Sequence, residues 1–299
     1  MFGSFLNVCI HRMPLGLSVV RPRSACPVCK APIAGYDNIP VLSWVALGGR
    51  CRNCKTAISP RYAAVELLTG ICFALSYYLP QTLTEADHLL QAAKFCVLSF
   101  LLIGLIFTDA ETRLLPDLLT KPGIVLGLLF SLVVRVEGPS EYFLFVPLYQ
   151  HHLADWRIFS FLNSFAGAVV GPAFVLSAAL LYRALRGVEG MGRGDVKLMG
   201  LIGAFLGIRL TLVVLMIGSL LGTIVGMGLI FLVWRKRLAR RRRQSPTDSA
   251  AQARKRAWHS ATLIYRNFQL PFGVFLGAAA LLAAFWGPSA IRWYWGLFW

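Results

Sequence analysis

Long apolar runs set the frame for this chain. They lie at about 62–79, 92–108, 118–135, 161–182, 196–208, 211–234 and 271–287, separated by short polar stretches. A hydrocarbon core about 30 Å thick is crossed by roughly 20 apolar residues in a helix. Runs of this length and composition therefore predict transmembrane helices rather than one soluble core. The whole chain agrees, with 57% hydrophobic and 14% charged residues and a mean hydropathy of +0.64. Residues 1–12 are apolar but too short to span, and are read as a first transmembrane helix lacking its first part. The expected fold is an all-α polytopic membrane protein of about eight transmembrane helices with one small polar module.

The net charge of +17 is unevenly placed. Basic residues collect in 13–61 and 235–270, including Arg50, Arg52, Lys55, Arg61, Arg235 and Arg240 to Arg243. The stretches 80–91 and 136–160 carry Glu85, Asp87, Glu137, Glu141 and Asp155 against a single Arg157. Positive loops stay on the cytoplasmic side. This places 13–61, 109–117, 183–195 and 235–270 in the cytoplasm and both termini outside. The charge is thus accounted for by topology: the basic run 235–256 is read as a topology anchor and a partly disordered loop, with binding of anionic lipid headgroups as the alternative, and no nucleic-acid partner is expected. The aromatic-rich stretch 137–160 reads as a loop at the outer interface. The domains read from this pattern are 1–12, the polar module 13–61, and a multi-span domain 62–299 with the basic loop 235–270.

The polar module holds Cys26-Pro27-Val28-Cys29 and Cys51-Arg52-Asn53-Cys54, two CxxC pairs separated by 21 residues. Each pair presents two thiolates to one ion, and the two together complete a tetrahedral four-cysteine site like that of a zinc ribbon. Two disulfides are the main rival. They require an oxidising compartment, against the cytoplasmic placement. A redox CxxC lacks the surrounding βαβ pattern. Four thiolates fill the coordination sphere, so the expected metal is a structural Zn²⁺ at Cys26, Cys29, Cys51 and Cys54. Cys9, Cys72 and Cys96 lie in apolar runs and are expected to pack, and His11 is expected to face the headgroups beside Arg12.

The chain has only 13 acids, and an acid at membrane depth marks a functional site. Asp109 ends the run Leu101 to Thr108, and Asp195 opens another span at the same cytoplasmic edge. Two carboxyls brought together share a proton, so one activates water while the other polarises a carbonyl. Gly192 and Gly194 give the backbone before Asp195 room for an extended or left-handed path and for close approach of a peptide. The rival reading is that Asp195 caps a helix. For Asp117, after Pro116, the N-cap reading is preferred. Glu66 is left open between a partner Arg or Lys and the site itself.

These residues together resemble the type IV prepilin peptidase family, the prepilin leader peptidase/N-methyltransferases with a GxGD motif. The matching segments are Gly3-Ser4-Phe5-Leu6-Asn7-Val8 with His11-Arg12-Met13-Pro14, the paired CxxC module, Arg61-Tyr62 through Gly70, Thr108-Asp109 with Leu114-Leu115-Pro116-Asp117, Gly192-Arg193-Gly194-Asp195-Val196-Lys197-Leu198, and Leu270-Pro271-Phe272-Gly273-Val274-Phe275-Leu276. The resemblance implies an inner-membrane aspartic endopeptidase with its catalytic pair at Asp109 and Asp195. Its substrates would be prepilins or pseudopilins, whose basic leader it removes at the cytoplasmic membrane edge. It also implies N-methylation of the new terminus with S-adenosylmethionine, and a peptidase step that needs no metal. The competing function is a multi-span transporter using intramembrane acids as a proton relay. The glycines and the cysteine module fit it poorly.

Overall fold

The computed structural model describes residues 1–79, 85–136, 155–187, 192–244, 252, 254–260 and 271–296. Among them the regular structure is helical, with two isolated β-bridges, Ala25 to Pro32 and Arg50 to Ala57. The helices are α1 (Phe2–Arg12), α2 (Leu42–Ala46), α3 (Pro60–Tyr78), α4 (Glu85–Thr112), α5 (Asp117–Val133), α6 (Trp156–Arg186), α7 (Arg193–Gln244) and α8 (Phe272–Gly296). Among the described residues four stretches are long and apolar enough to cross a membrane: Asp87–Thr112, Trp156–Arg186, Arg193–Arg240 and Phe272–Ile291. The all-α membrane architecture therefore stands. The count of eight further enlists the shorter α1, α3 and α5 and the division of α7 at a kink.

That kink sits at Gly207, whose φ of 75° and ψ of 174° interrupt α7. Such a φ suits glycine, which has no side chain to clash. Asn163 of α6 meets the break, its side-chain oxygen accepting from the Ile208 amide at 3.1 Å. In the sequence the apolar runs 196–208 and 211–234 are interrupted at 209–210, near Arg209. The structure replaces that interruption with this one-residue break, because a neighbouring side chain satisfies the exposed amide.

The helix ends follow local chemistry. Ser59 caps α3 by accepting from the Arg61 amide, with Pro60 in the first turn. Asp155 caps α6, which ends at Gly187 with φ 71°. The helix of α7 also runs on through Arg235 to Gln244, and 254–260 is helical. This corrects the reading of a loop starting at 235. Arg, Lys, Leu and Ala are strong helix formers, and the long basic stems reach water without ending the helix. Most of the aromatic stretch, residues 137–154, and residues 245–251, 253 and 261–270 of the segment 235–270 lie outside the described residues.

Small residues let the central helices touch. A Cβ placed on Gly203 of α7 would overlap the Gly167 carbonyl of α6, and one on Gly171 would lie 2.8 Å from Thr211 Cγ2. Close backbone approach at small residues is the usual mode of helix association in lipid. Around this seam Leu102, Leu198, Met199, Leu201, Ile202, Phe205 and Leu276 form a buried core. A second cluster, with Leu6, Ile10, Val65, Cys72 and Ile103, joins α1 and α3 to α4. Cys9 and Cys72 are buried and Cys96 half-buried, all as free thiols, in keeping with packing roles.

Candidate functional site: an aspartate pair and a four-cysteine module

Asp109 lies near the end of α4 and Asp195 in the first turn of α7. Both are buried, at 5% and 7% exposure. The element that shows how close they come is the start of α8. An ideal Cβ on Gly273 would lie 2.8 Å from Asp109 Oδ2 and 3.4 Å from Asp195 Oδ1. Both carboxyls therefore border one small space above the Gly273 backbone. The next residue supplies a fixed donor, since the Val274 amide donates to Asp109 Oδ2 at 3.1 Å. Gly273 and Val274 were quoted in the sequence only as part of a matching block, with no role attached.

Asp195 is not the N-cap of its helix. The helix starts at Arg193, and the Asp195 amide itself donates to the Gly192 carbonyl at 3.2 Å. The glycines before it do not adopt the left-handed backbone allowed for in the sequence reading: neither Gly192 nor Gly194 has positive φ. Gly194 is already helical, and its missing side chain serves close packing, since a Cβ there would meet Leu115 Cδ1 at 3.0 Å. A Cβ on Gly192 would lie 3.6 Å from Asp195 Oδ2.

Asp117 also departs from expectation. It is the first residue of α5, Pro116 occupies the N-cap position, and no side-chain cap forms. Its carboxylate instead pairs with Lys197 Nζ at 2.5 Å and Lys121 Nζ at 2.7 Å. The two lysines compete successfully with the helix amides because they bring full charges. Asp117 thus stays apart from the buried pair and links α5 to α7. Arg61 pairs with Glu111, two residues after Asp109.

Glu66 is resolved as a structural junction. It accepts from the Ser4 hydroxyl and, through Oε2, from the Val41 amide at 2.8 Å. A Cβ on Gly3 would lie 2.7 Å from the Glu66 Cα, so α1 rests directly on α3 here. One carboxylate joins α1, α3 and the polar module, and among the described residues it pairs with a hydroxyl and an amide rather than with an Arg or a Lys. His11 is exposed and Arg12 half-buried.

The cysteine module is built from two copies of one turn. In the first, the Cys26 amide donates to Ala31 O and the Lys30 amide to Cys26 O; in the second, Cys51 donates to Thr56 O and Lys55 to Cys51 O. Lys30 and Lys55 each have φ 58°. The four sulfurs lie within 4.8 Å of one another, with Cys26 to Cys54 at 3.8 Å and Cys29 to Cys51 at 4.0 Å. These are not disulfides. A tetrahedron with bonds of about 2.3 Å has edges of about 3.8 Å, so the donor set fits one tetrahedral ion. Amides of Cys29 and Val28 hold the Cys26 thiol below its ordinary value. The Thr56 hydroxyl and amide bring Cys54 down to about 6. Cys29 goes the other way: the Ala31 backbone holds it down, but burial and its hydrogen bonds to the other cysteines push it up to about 11. The set thus shares its charge unevenly; thiolates are what a metal takes. The bidentate Asp37–Arg52 pair, both contacts at 2.7 Å, braces the second turn.

An all-helical membrane protein with two buried aspartates bordering one space, and a four-cysteine module held against its first helices, has the form of a membrane-embedded peptidase. The sequence comparisons place the chain within that class. Residues 1–79 match the Bacterial Peptidase A24 N-terminal domain, and residues 96–227 match the Type IV leader peptidase family. The chain is 35% identical to a prepilin leader peptidase/N-methyltransferase of Aeromonas salmonicida (strain A449), over 98% of this chain and 90% of that protein. It is 31% identical to the protein of the same name from Pseudomonas aeruginosa, over 98% and 89%. With that of Klebsiella pneumoniae the identity is 40% over 69% of this chain and 81% of the relative. No solved structure matches the chain. The chain belongs to the type IV leader peptidase family. The comparisons give the transporter reading no support.

Proposed function

We propose that this chain removes the basic leader of prepilins or pseudopilins by aspartic peptidase chemistry at Asp109 and Asp195, then methylates the new N-terminus with S-adenosylmethionine. The observation that carries the peptidase reading is the shared space of the two carboxyls beside Gly273. The family membership and the names of the relatives support the substrate and the second activity.

In this chemistry two carboxyls that border one space share a single proton. The ionised member takes a proton from water, and the resulting hydroxide oxygen bonds to the scissile carbonyl carbon. The protonated member gives its proton to the carbonyl oxygen. As the tetrahedral intermediate collapses, the C–N bond breaks and the amine leaves with a proton from the pair. The products are a carboxylic acid and an amine, and water is the only other reactant. The substrate's own apolar helix presents the bond at the membrane edge, so part of the positioning precedes chemistry.

The chain is read as lying in the bacterial inner membrane with its cysteine module in the cytoplasm. Its parts are 1–12, the module 13–61, and the multi-span peptidase domain 62–299, with about eight spans in all. The loop charges support this orientation. Zn²⁺ held by Cys26, Cys29, Cys51 and Cys54 would fix the fold of the module. S-adenosylmethionine would supply the methyl group. Gly192 and Gly194 are the residues proposed to border the entering peptide.

The test uses purified protein, a prepilin peptide and isotopically labelled S-adenosylmethionine, with products read by mass. Asp109→Ala and Asp195→Ala are each expected to abolish cleavage while remaining in the membrane. Normal processing by either variant removes the pair assignment.

A further inference from the structure

We infer that the first turn of α8, Gly273 and Val274, is the positioning element of the peptidase centre. The inference rests on the Asp109/Asp195 reading and adds a third helix to it. Asp109 and Asp195 come from α4 and α7, and neither of those helices alone decides where the carboxyls meet. Two independent features of α8 do.

The first is a donor. The Val274 amide lies in the first turn of a helix, where backbone N–H groups have no partner within the helix. It donates to Asp109 Oδ2 at 3.1 Å. A backbone amide cannot rotate away as a side chain can, so it selects one orientation of the Asp109 carboxyl. The oxygen it holds, Oδ2, is the one that borders the space shared with Asp195.

The second is a missing side chain. A methyl group at position 273 would sit 2.8 Å from Asp109 Oδ2, 3.1 Å from Asp109 Cγ and 3.4 Å from Asp195 Oδ1. It would fill the space that the two carboxyls share. Gly273 therefore does more than permit packing: it keeps open the position between the two acids. Gly277, one turn further along, separates the two effects. A methyl there would lie 2.5 Å from Ile106 Cγ1, so it disturbs the same α4–α8 contact without reaching either acid. Pro271 stands immediately before the turn and limits the backbone freedom of its start.

The experiment measures kcat and KM for cleavage of a prepilin peptide by the purified full chain. Gly273→Ala is expected to lower kcat by about a hundredfold, the scale of a small misplacement of reacting groups. KM is expected to stay within about twofold, because the added methyl displaces the reacting carboxyls rather than groups that bind substrate and transition state equally. Gly277→Ala is expected to lower the thermal unfolding midpoint yet keep kcat within about fivefold. Replacing Val274 by its α-hydroxy acid turns the amide into an ester and removes only the N–H. This change is expected to lower kcat by about tenfold or more, and it decides the matter if Gly273→Ala does not fold. The inference fails if the ester cleaves at the unaltered rate, or if Gly277→Ala loses as much kcat as Gly273→Ala. Asp109→Ala and Asp195→Ala run alongside. If they still cleave, the aspartate pair itself is wrong; if they are dead while Gly273→Ala and the ester cleave normally, only the role of α8 is overturned.

Discussion

Lys197 Nζ lies 2.5 Å from Asp117 Oδ1, and this pair ties the helix that carries Asp195 to the start of α5. Lys197 follows Asp195 by two residues, so the pair acts on the same turn as the buried acid. It is nonetheless about 40% exposed on both sides. Ion pairs of this exposure contribute at most about 1 kcal/mol. Asp117→Ala is therefore expected to keep substantial cleavage activity, within about tenfold of the parent, and to shift the unfolding midpoint only slightly. Steady-state cleavage of a prepilin peptide checks this. A dead variant would place Asp117 in the chemistry.

The seam between α6 and α7 is expected to tolerate no side chain at position 203. A Cβ on Gly203 would overlap the Gly167 carbonyl and press on the Ala168 amide, and backbone cannot swing aside as a leucine tip can. Overpacking of this kind costs about 1–3 kcal/mol. Gly203→Ala should lower the unfolding midpoint in detergent well below that of Gly70→Ala, whose added methyl meets nothing within 4 Å. Equal midpoints would show that the seam can open without loss.

Much of this was legible in the chain because its signals are local. A run of apolar residues declares a span by its length alone, and two CxxC pairs declare a metal site by their spacing. That Asp109 and Asp195 border one space was also within reach, because one acid closes an apolar run and the other opens one at the same expected membrane edge. What the sequence did not show is contact between helices far apart in the chain. The role of Gly273 depends on α8 packing against α4 and α7 together, and a glycine before an apolar run has many ordinary explanations. Asp117 followed the same pattern: after a proline it reads as a cap, and only the fold brings Lys197 to it. Glu66 was undecidable for a related reason, since its partners are the Ser4 hydroxyl and a backbone amide at Val41, and an amide has no signature in sequence. The helix past Arg235 was missed because charge was read as solvent exposure, while the helix propensity of the same residues was set aside.

Metal analysis is expected to find about one zinc per chain. Cys51→Ser should lose it, because one missing thiolate opens a closed tetrahedral site. With the ion gone, the turns at 26–29 and 51–54 lose their common anchor, and limited proteolysis should cut between them faster than in the parent. The aspartate pair involves no metal in its proposed chemistry, so any loss of cleavage should trace to the module's contact with α1 and α3 through Glu66 and Val41. Reduced protein that contains no zinc, yet resists protease at the module, would remove the structural role.

The metal-free module offers a pH test that is independent of catalysis. Cys54 is held at about 6, chiefly by the Thr56 hydroxyl, with the Thr56 amide adding to it. An ordinary cysteine titrates near 8.5. The folded-state value is depressed, so the thiolate and the stability it brings are fully present above the ordinary value. They are lost as pH falls through about 6. Only the thiolate is alkylated. In chelated protein, modification of Cys54 by iodoacetamide should therefore rise steeply between about pH 5 and 7 and change little above that, with the site of addition read by peptide mass. Thr56→Val removes the hydroxyl but keeps the amide, so the midpoint should move up part of the way towards the ordinary value. A midpoint that stays put in Thr56→Val would assign the depression to the turn backbone alone, and one near 8.5 in the parent would show that the turn does not hold its shape without the ion.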